Sequence, residues 1–358
     1  MTTAGRRTRV LLADDSRVHR ELLTALFTGA PGFDVVGVAR DGAEAVRMVA
    51  AVRPDVAVLD LHMPEMDGLE ATRRSMRDTP VPIVITSAIS DLRDVRRSFE
   101  CHQAGAVASL CKPGGPGAPG SERDAAALIS TVRLMADVRV IRRRERGDAA
   151  APAVSAPAVV ARPGAALEVL AIGTSTGGPS ALAAIFGALG ADYPLPILCV
   201  QHIADGWIEG FAGWLAGLTA LRVRVAVHGE PLARGSVYLA PEDRHLGVCG
   251  RSVQVSDGPR VGVFRPSCDF LFESVARAFG PRGAVLVLTG MGSDGLAGAR
   301  HVRAAGGRVI AQDRESSVVH GMPGVVITER LAHAVLALDQ IATYLRAMVV
   351  RPEGDGGG

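Results

Sequence analysis

The chain has 358 residues, nearly half of them apolar, and a formal net charge of +2. That length suits two domains, each large enough to bury its own core, and a charge so near neutrality excludes a dedicated nucleic-acid surface. The five cysteines, Cys101, Cys111, Cys199, Cys249 and Cys268, lack C-x-x-C spacing, which excludes a disulfide framework or a zinc finger and makes them reduced packing residues. No apolar stretch reaches the roughly 18 residues needed to span a bilayer, and no apolar run follows the basic start Met1–Arg7, so a soluble, cytoplasmic protein without membrane insertion is expected.

Residues 9–113 alternate two periodicities. Apolar runs at Arg9–Ala13, Asp34–Ala39, Val56–Asp60, Ile83–Ser87 and Val107–Cys111 predict strands, and amphipathic spacing predicts helices over 16–29, 42–52, 68–77 and 91–104. A glycine- and proline-rich loop, Gly114–Gly120, precedes a further helical pattern from Glu122 to about Arg144. The pattern predicts a doubly wound parallel sheet with helices on both faces, since strands this apolar need cover on each side. The basic run Arg142–Arg146 reads as a solvated helix end.

Charge gathers at the carboxyl ends of those strands. Asp14 and Asp15 end the first and Asp60 the third, with Ser87 after the fourth and Lys112 after the fifth. Neighbouring carboxylates repel one another, and a hard divalent cation such as Mg2+ relieves that repulsion. Asp60 could then attack a phosphoryl group, with Ser87 and Lys112 holding oxygens of the aspartyl phosphate. Helix capping explains Asp14 or Asp15 singly but not the constellation.

With Leu11–Ser16, Pro54–Asp60 leading to Met63–Gly68, Pro82–Ala88 and Lys112-Pro113, this half resembles a response-regulator receiver of flavodoxin-like (βα)5 fold. The resemblance implies Asp60 as phospho-acceptor, Asp14 and Asp15 as metal-site acids with Asp60, Mg2+ as cofactor, a histidine kinase as phosphodonor, and a cis bond before Pro113. Receivers usually carry an aromatic three residues before the lysine, and here that position is Ser109. The usual aromatic relay is therefore missing.

Residues 1–146 thus form the receiver, and residues 147–166, nearly all Ala, Pro and Val, a semi-extended linker. Residues 167–349 form a second α/β domain, and 350–358 a disordered tail. In the second domain, strand-like runs fall at 169–172, 197–201, 222–227, 236–240, 284–289 and 307–311, with a closing helix over Leu331–Met348. Turn-rich punctuation between 222 and 264 suggests an antiparallel hairpin attached to a parallel sheet.

Gly173-Thr174-Ser175-Thr176-Gly177-Gly178 lies between the first of these strands and a helix. Its G-x-S-x-G spacing lets a sharp turn push a serine hydroxyl out above the sheet. Ser175 needs a base and an orienting acid. His202 ends the second apolar run, and Asp294 lies in Gly290–Gly295 after the fifth. All three follow strand carboxyl ends, where open α/β sheets bind ligands. The order serine, histidine, acid departs from the α/β-hydrolases. Amides of Thr176 and Gly177, or of the Met291 loop, could receive an oxyanion. Arg265 either contacts substrate or belongs to a proline-entered helix start at Pro266-Ser267.

Residues 168–349 resemble the methylesterase domain of the CheB family, through Ile172–Pro179, Val200-Gln201-His202, Tyr238–Pro241, Arg265–Asp269, Leu288–Gly295 and Gly321-Met322-Pro323. That resemblance implies a Ser175-His202-Asp294 triad that hydrolyses glutamate γ-methyl esters on chemoreceptors, releasing methanol, and deamidates receptor glutamines. It requires no cofactor in the esterase domain. It also implies that the unphosphorylated receiver covers the hydrolase site until Asp60 is phosphorylated. A monomer is expected. Two other readings stay open: the same enzyme serving a non-flagellar chemosensory pathway, or a non-catalytic binding module.

Overall fold

The strands form where β-branched and leucine runs lie between turn residues. The computed structural model describes residues 6–88, 92–115, 117–118, 120–138, 140 and 166–349. The chain divides into two compact units, residues 1–149 and 150–358. The expected linker apart from Ala166, the Arg142–Arg146 run and the expected tail lie outside the described residues.

In the first unit, strands β1 (Thr8–Ala13), β2 (Phe33–Ala39), β3 (Val56–Asp60), β4 (Ile83–Ser87) and β5 (Ala108–Cys111) alternate with helices α1 (Arg17–Gly29), α2 (Gly42–Val52), α3 (Gly68–Asp78), α4 (Leu92–Ala104) and α5 (Ser121–Met135). The sheet is parallel throughout, in the order β2-β1-β3-β4-β5. β3 and β4 are buried along their whole length, which explains why their sequences show no polar alternation. Ser16, Asp41 and Asp67 cap α1, α2 and α3 by accepting the amides of His19, Glu44 and Glu70. Two expectations fail here. The last helix ends at Met135 rather than near Arg144, and residues 136–138 are not helical. The Lys112–Pro113 bond is trans; the cis bond among the described residues is Arg265–Pro266.

The second unit has a seven-stranded parallel sheet, β14-β13-β12-β6-β7-β9-β8. Its strands are β6 (Val169–Thr174), β7 (Ile197–Gln201), β8 (Arg222–Val225), β9 (Ser236–Leu239), β12 (Gly283–Val287), β13 (Arg308–Gln312) and β14 (Ala334–Leu336). Helices α6 (Gly178–Ala188), α7 (Ile208–Ala216), α8 (Cys268–Phe279), α9 (Leu296–Ala304), α10 (Met322–Thr328) and α11 (Leu338–Ala347) belong to the same unit. The central strands β6, β7 and β12 are wholly buried, and each buried Val, Leu or Ile stabilises by about 1.5–3 kcal/mol. The expected hairpin exists as a separate two-stranded sheet, β10 (His245–Cys249) paired with β11 (Ser252–Ser256), whereas β8 and β9 run parallel within the main sheet. The expected helix over Leu331–Met348 is in fact β14 followed by α11. Three residues on a sheet edge are too few to carry a two-residue period, so the helical signal of the neighbouring segment swallowed them.

Candidate active site and receiver acid cluster

The main sheet of the second unit begins in its middle. β6 leads to β7 on one side, and the chain later returns through β12 on the other. Such a reversal opens a crevice at the carboxyl ends of the strands. Ser175 is the first residue past β6, His202 the first past β7, and Asp294 lies in the loop from β12 to α9. Thr174 pairs with Gln201 at the last register position, and the His202 amide donates to the Thr174 carbonyl at 3.0 Å, so Ser175 and His202 leave adjacent strands side by side. On the other flank Gly290 packs so closely that a Cβ there would stand 2.9 Å from Ser175 Cβ.

The turn itself depends on glycine. Gly177 has φ +80°, and an added Cβ would meet Val318 at 2.6 Å; at Gly178 it would meet Gln201 Oε1 at 2.0 Å. Between Ser175 and His202 sits Gln201, whose buried amide donates to the carbonyls of Ser175 (2.8 Å) and His202 (2.9 Å). Thr289 closes the opposite side: its carbonyl accepts from the Ser175 amide and the Thr174 hydroxyl, and its hydroxyl donates to the Thr176 carbonyl.

His202 Nε2 lies 2.9 Å from Asp294 Oδ2. A carboxylate accepts, so this nitrogen carries the proton, which leaves Nδ1 with its lone pair. Nδ1 is buried and has no hydrogen-bond partner. The Phe264 ring stacks on the imidazole, with centroids 4.4 Å apart and planes within 6°. Asp294 sits at the amino end of α8, where its oxygens accept the Ser267 hydroxyl (2.8 Å) and the amides of Cys268 (2.7 Å) and Asp269 (3.1 Å). Burial pushes its carboxyl upward, but the bond and charge of His202 and those two amides outweigh it, so Asp294 stays below the usual carboxylate range. Such a carboxylate remains ionised and orients the ring.

Among the remaining expected residues, Met291 is 53 % exposed beside Gly290, and the amides of Thr176, Gly177 and Met291 donate to no acceptor among the described residues. The Arg265 guanidinium is paired bidentately with Asp243 and also donates to the Asp257 and Gly258 carbonyls. Ser267 caps α8, accepting from Asp269 and Phe270. Gln201, Thr289 and Phe264 are site residues that sequence reading missed; Ser267, expected as a helix cap, also donates to Asp294. Gln201, a polar residue closing an apolar strand, carried a signal; Phe264 carried none. Not every cysteine is packed: Cys249 is exposed. Cys268 is buried in the core, and its thiol stands 3.9 Å from His202 Nε2.

In the first unit the five expected residues converge at the carboxyl edge of the sheet. Lys112 Nζ lies 2.7 Å from Asp60 Oδ2 and 2.9 Å from Asp14 Oδ2. Oxygens of Asp14, Asp15 and Asp60 all lie within 4.8 Å of one another, near the roughly 4.2 Å that separates opposite ligands in a Mg2+ octahedron. Asp14 Oδ2 is buried against the Lys112 ammonium, and Asp15 is exposed. Buried carboxylates that share one lysine, facing an accessible acid, fit a hard cation that keeps several waters. Burial raises the Asp60 carboxyl, with Lys112 opposing; for Lys112, burial acts downward but the bonds from Asp60 and Asp14 prevail and raise it. The Ser109 hydroxyl donates to the Ser98 carbonyl of α4 at 3.4 Å.

Comparison with known proteins agrees with both halves. Residues 170–345 match the family described as CheB methylesterase, and residues 10–118 the response regulator receiver domain. The chain is 48% identical over 356 residues, 98% of each chain, to a Myxococcus xanthus protein named protein-glutamate methylesterase/protein-glutamine glutaminase 4. A Geobacter metallireducens protein of the same name is 44% identical over 96% of this chain and 99% of its own. The crystal structure of the Thermotoga maritima CheB methylesterase catalytic domain, 37% identical, superposes with a TM-score of 0.50 and covers 52% of this chain and 100% of that one.

Proposed function

Because the chain belongs to the CheB methylesterase family, with a response regulator receiver domain ahead of the hydrolase, we propose that it hydrolyses glutamyl γ-methyl esters on chemoreceptors, releasing methanol, and deamidates receptor glutamines to glutamates. The observation that carries this reading is His202, tied through Nε2 to an ionised Asp294 while its buried Nδ1 has no hydrogen-bond partner, at the end of the strand next to the one that Ser175 follows.

Ser175 Oγ attacks the side-chain carbonyl as His202 Nδ1 takes its proton, and Asp294 stabilises the imidazolium. The oxyanion is received by the unpaired amides of Thr176, Gly177 and Met291. His202 then protonates the leaving group. Methanol and ammonia differ only as leaving groups, so one site performs both reactions. Water, deprotonated by the same ring, releases the glutamate. Gln201 holds the two strand ends in register for these transfers. Arg265 is a clamp on the loop that carries Phe264.

Asp60 is the phospho-acceptor and a histidine kinase its donor, with Asp14, Asp15 and Asp60 the residues that would hold Mg2+. When bound, that ion neutralises the acids and draws phosphoryl oxygens toward them. Lys112 and Ser87 hold the remaining oxygens, and phosphorylation raises hydrolysis.

Methanol release from methylated receptor membranes tests both halves, using wild type, Ser175→Ala and Asp60→Asn with and without a small-molecule phosphodonor. Release should vanish in Ser175→Ala, and the phosphodonor should stimulate wild type but not Asp60→Asn. Equal release by Ser175→Ala and wild type would overturn the catalytic assignment.

A further inference from the structure

Cys268 has no part in the hydrolytic chemistry, yet its thiol touches the base. We propose that His202, Cys268 and Asp294 form an inhibitory site for a thiophilic divalent cation, of which Zn2+ is the type. Cys268 Sγ is 3.9 Å and Asp294 Oδ2 2.9 Å from His202 Nε2, and all three ligand atoms lie within 4.8 Å of one another. Ordinary Zn–S, Zn–N and Zn–O lengths in a tetrahedron place sulfur about 3.5 Å and oxygen about 3.3 Å from nitrogen. The sulfur–nitrogen distance therefore has to shorten, and the oxygen–nitrogen distance to lengthen, by about 0.4 Å each.

The donor set selects the metal. Thiolate, imidazole and carboxylate favour Zn2+, whereas Mg2+ requires oxygen ligands such as those of Asp14, Asp15 and Asp60. The charge also balances: one thiolate and one carboxylate neutralise the dication, leaving no net charge in a site where Cys268 and Asp294 are buried. Outer partners are in place, because Asp294 Oδ1 accepts the Ser267 hydroxyl and the Asp269 amide. The imidazole, 14 % exposed, is the side from which the ion and its water ligand enter.

On binding, the Cys268 thiol releases one proton to solvent and its sulfur forms the Zn–S bond. The Nε2 proton transfers to Nδ1, and Nε2 takes up the ion; the imidazole stays neutral. Nδ1 then has no lone pair for the Ser175 proton. This inhibitory consequence rests on the proposed hydrolase mechanism; the binding itself does not.

The test uses the full chain, stripped of metal and then held in excess Mg2+ to occupy the receiver acids. Wild type, Cys268→Val and Cys268→Ser are titrated with Zn2+ by calorimetry and with Co2+ by absorption, and methanol release is measured with and without Zn2+; circular dichroism verifies that each variant folds. Wild type should bind one Zn2+ and show a cobalt–thiolate charge-transfer band. Both variants should lose the band and bind Zn2+ more weakly by over about 100-fold, more than loss of an outer partner costs. Zn2+ should stop release by wild type, and both variants should resist it. A missing band in wild type, a band persisting in the variants, or equal Zn2+ inhibition in all three proteins overturns the site. If the band appears but wild type releases no methanol under any condition, the esterase reading fails and the cation site stands.

Discussion

Asp294 shows how a single residue acquires its role from its neighbours. Alone in the sequence it reads as a helix cap, but it carries four bonds: from His202, the Ser267 hydroxyl and the amides of Cys268 and Asp269. Asp294→Asn keeps the shape and removes the charge, so the ring loses both its preferred tautomer and the stabilisation of its protonated form. Methanol release should fall by about 10³–10⁴-fold with little change in KM. A large rise in KM at unchanged kcat would instead assign Asp294 to substrate binding. His102 offers a contrasting residue-scale effect in the first unit. Burial lowers its pKa to about 4 from 6.5, so the folded state binds fewer protons than the unfolded one. Stability from this group is fully present above pH 6.5 and is lost as pH falls from 6.5 toward 4, by on the order of 3 kcal/mol. His102→Gln should flatten the acid side of the unfolding profile of the first unit across that window. An unchanged profile would mean that other groups set it.

At the scale of elements, the turn that carries Ser175 forms because glycine lets three segments approach one another. β6 ends at Thr174, Gly177 adopts a left-handed φ of +80°, and α6 starts at Gly178 against Gln201. Gly177→Ala puts a Cβ 2.6 Å from Val318 and also forces a side chain into positive φ. The expected result is a loss of about 1–3 kcal/mol in stability together with a larger loss of hydrolysis, because relief requires moving Ser175. Thermal unfolding and methanol release on the same preparation check this. Full activity at wild-type stability would show that the turn tolerates a side chain. Elements also explain where sequence reading stopped. β6, β7 and β12 were visible as apolar runs because both their faces are buried, whereas β14, three residues on an edge, resembled the start of α11. α5 stopped at Met135 although its periodicity continued on paper.

For the whole molecule, both units hold their candidate site at the same place, the carboxyl edge of a parallel sheet. Among the described residues no helix is long and apolar enough to cross a membrane. Sequence alone was enough for the doubly wound fold of each half, and it picked out residues that the structure places at the two sheet edges: Asp60 with its flanking acids and lysine, and Ser175, His202 and Asp294. Those features are local: burial on both strand faces leaves continuous apolar runs, and a residue that follows such a run must emerge at the sheet edge. Tertiary structure alone decided which groups meet across the sheet. Phe264 reaches His202, Ser267 reaches Asp294, and Arg265 turns to Asp243 from loops whose paths no periodicity encodes. It also decided which imidazole nitrogen is left bare, and that the Cys268 thiol stands 3.9 Å from the other. Contacts between residues tens of positions apart depend on how helices pack on the sheet, and packing is set by the sum of many side-chain shapes rather than by any one stretch of sequence.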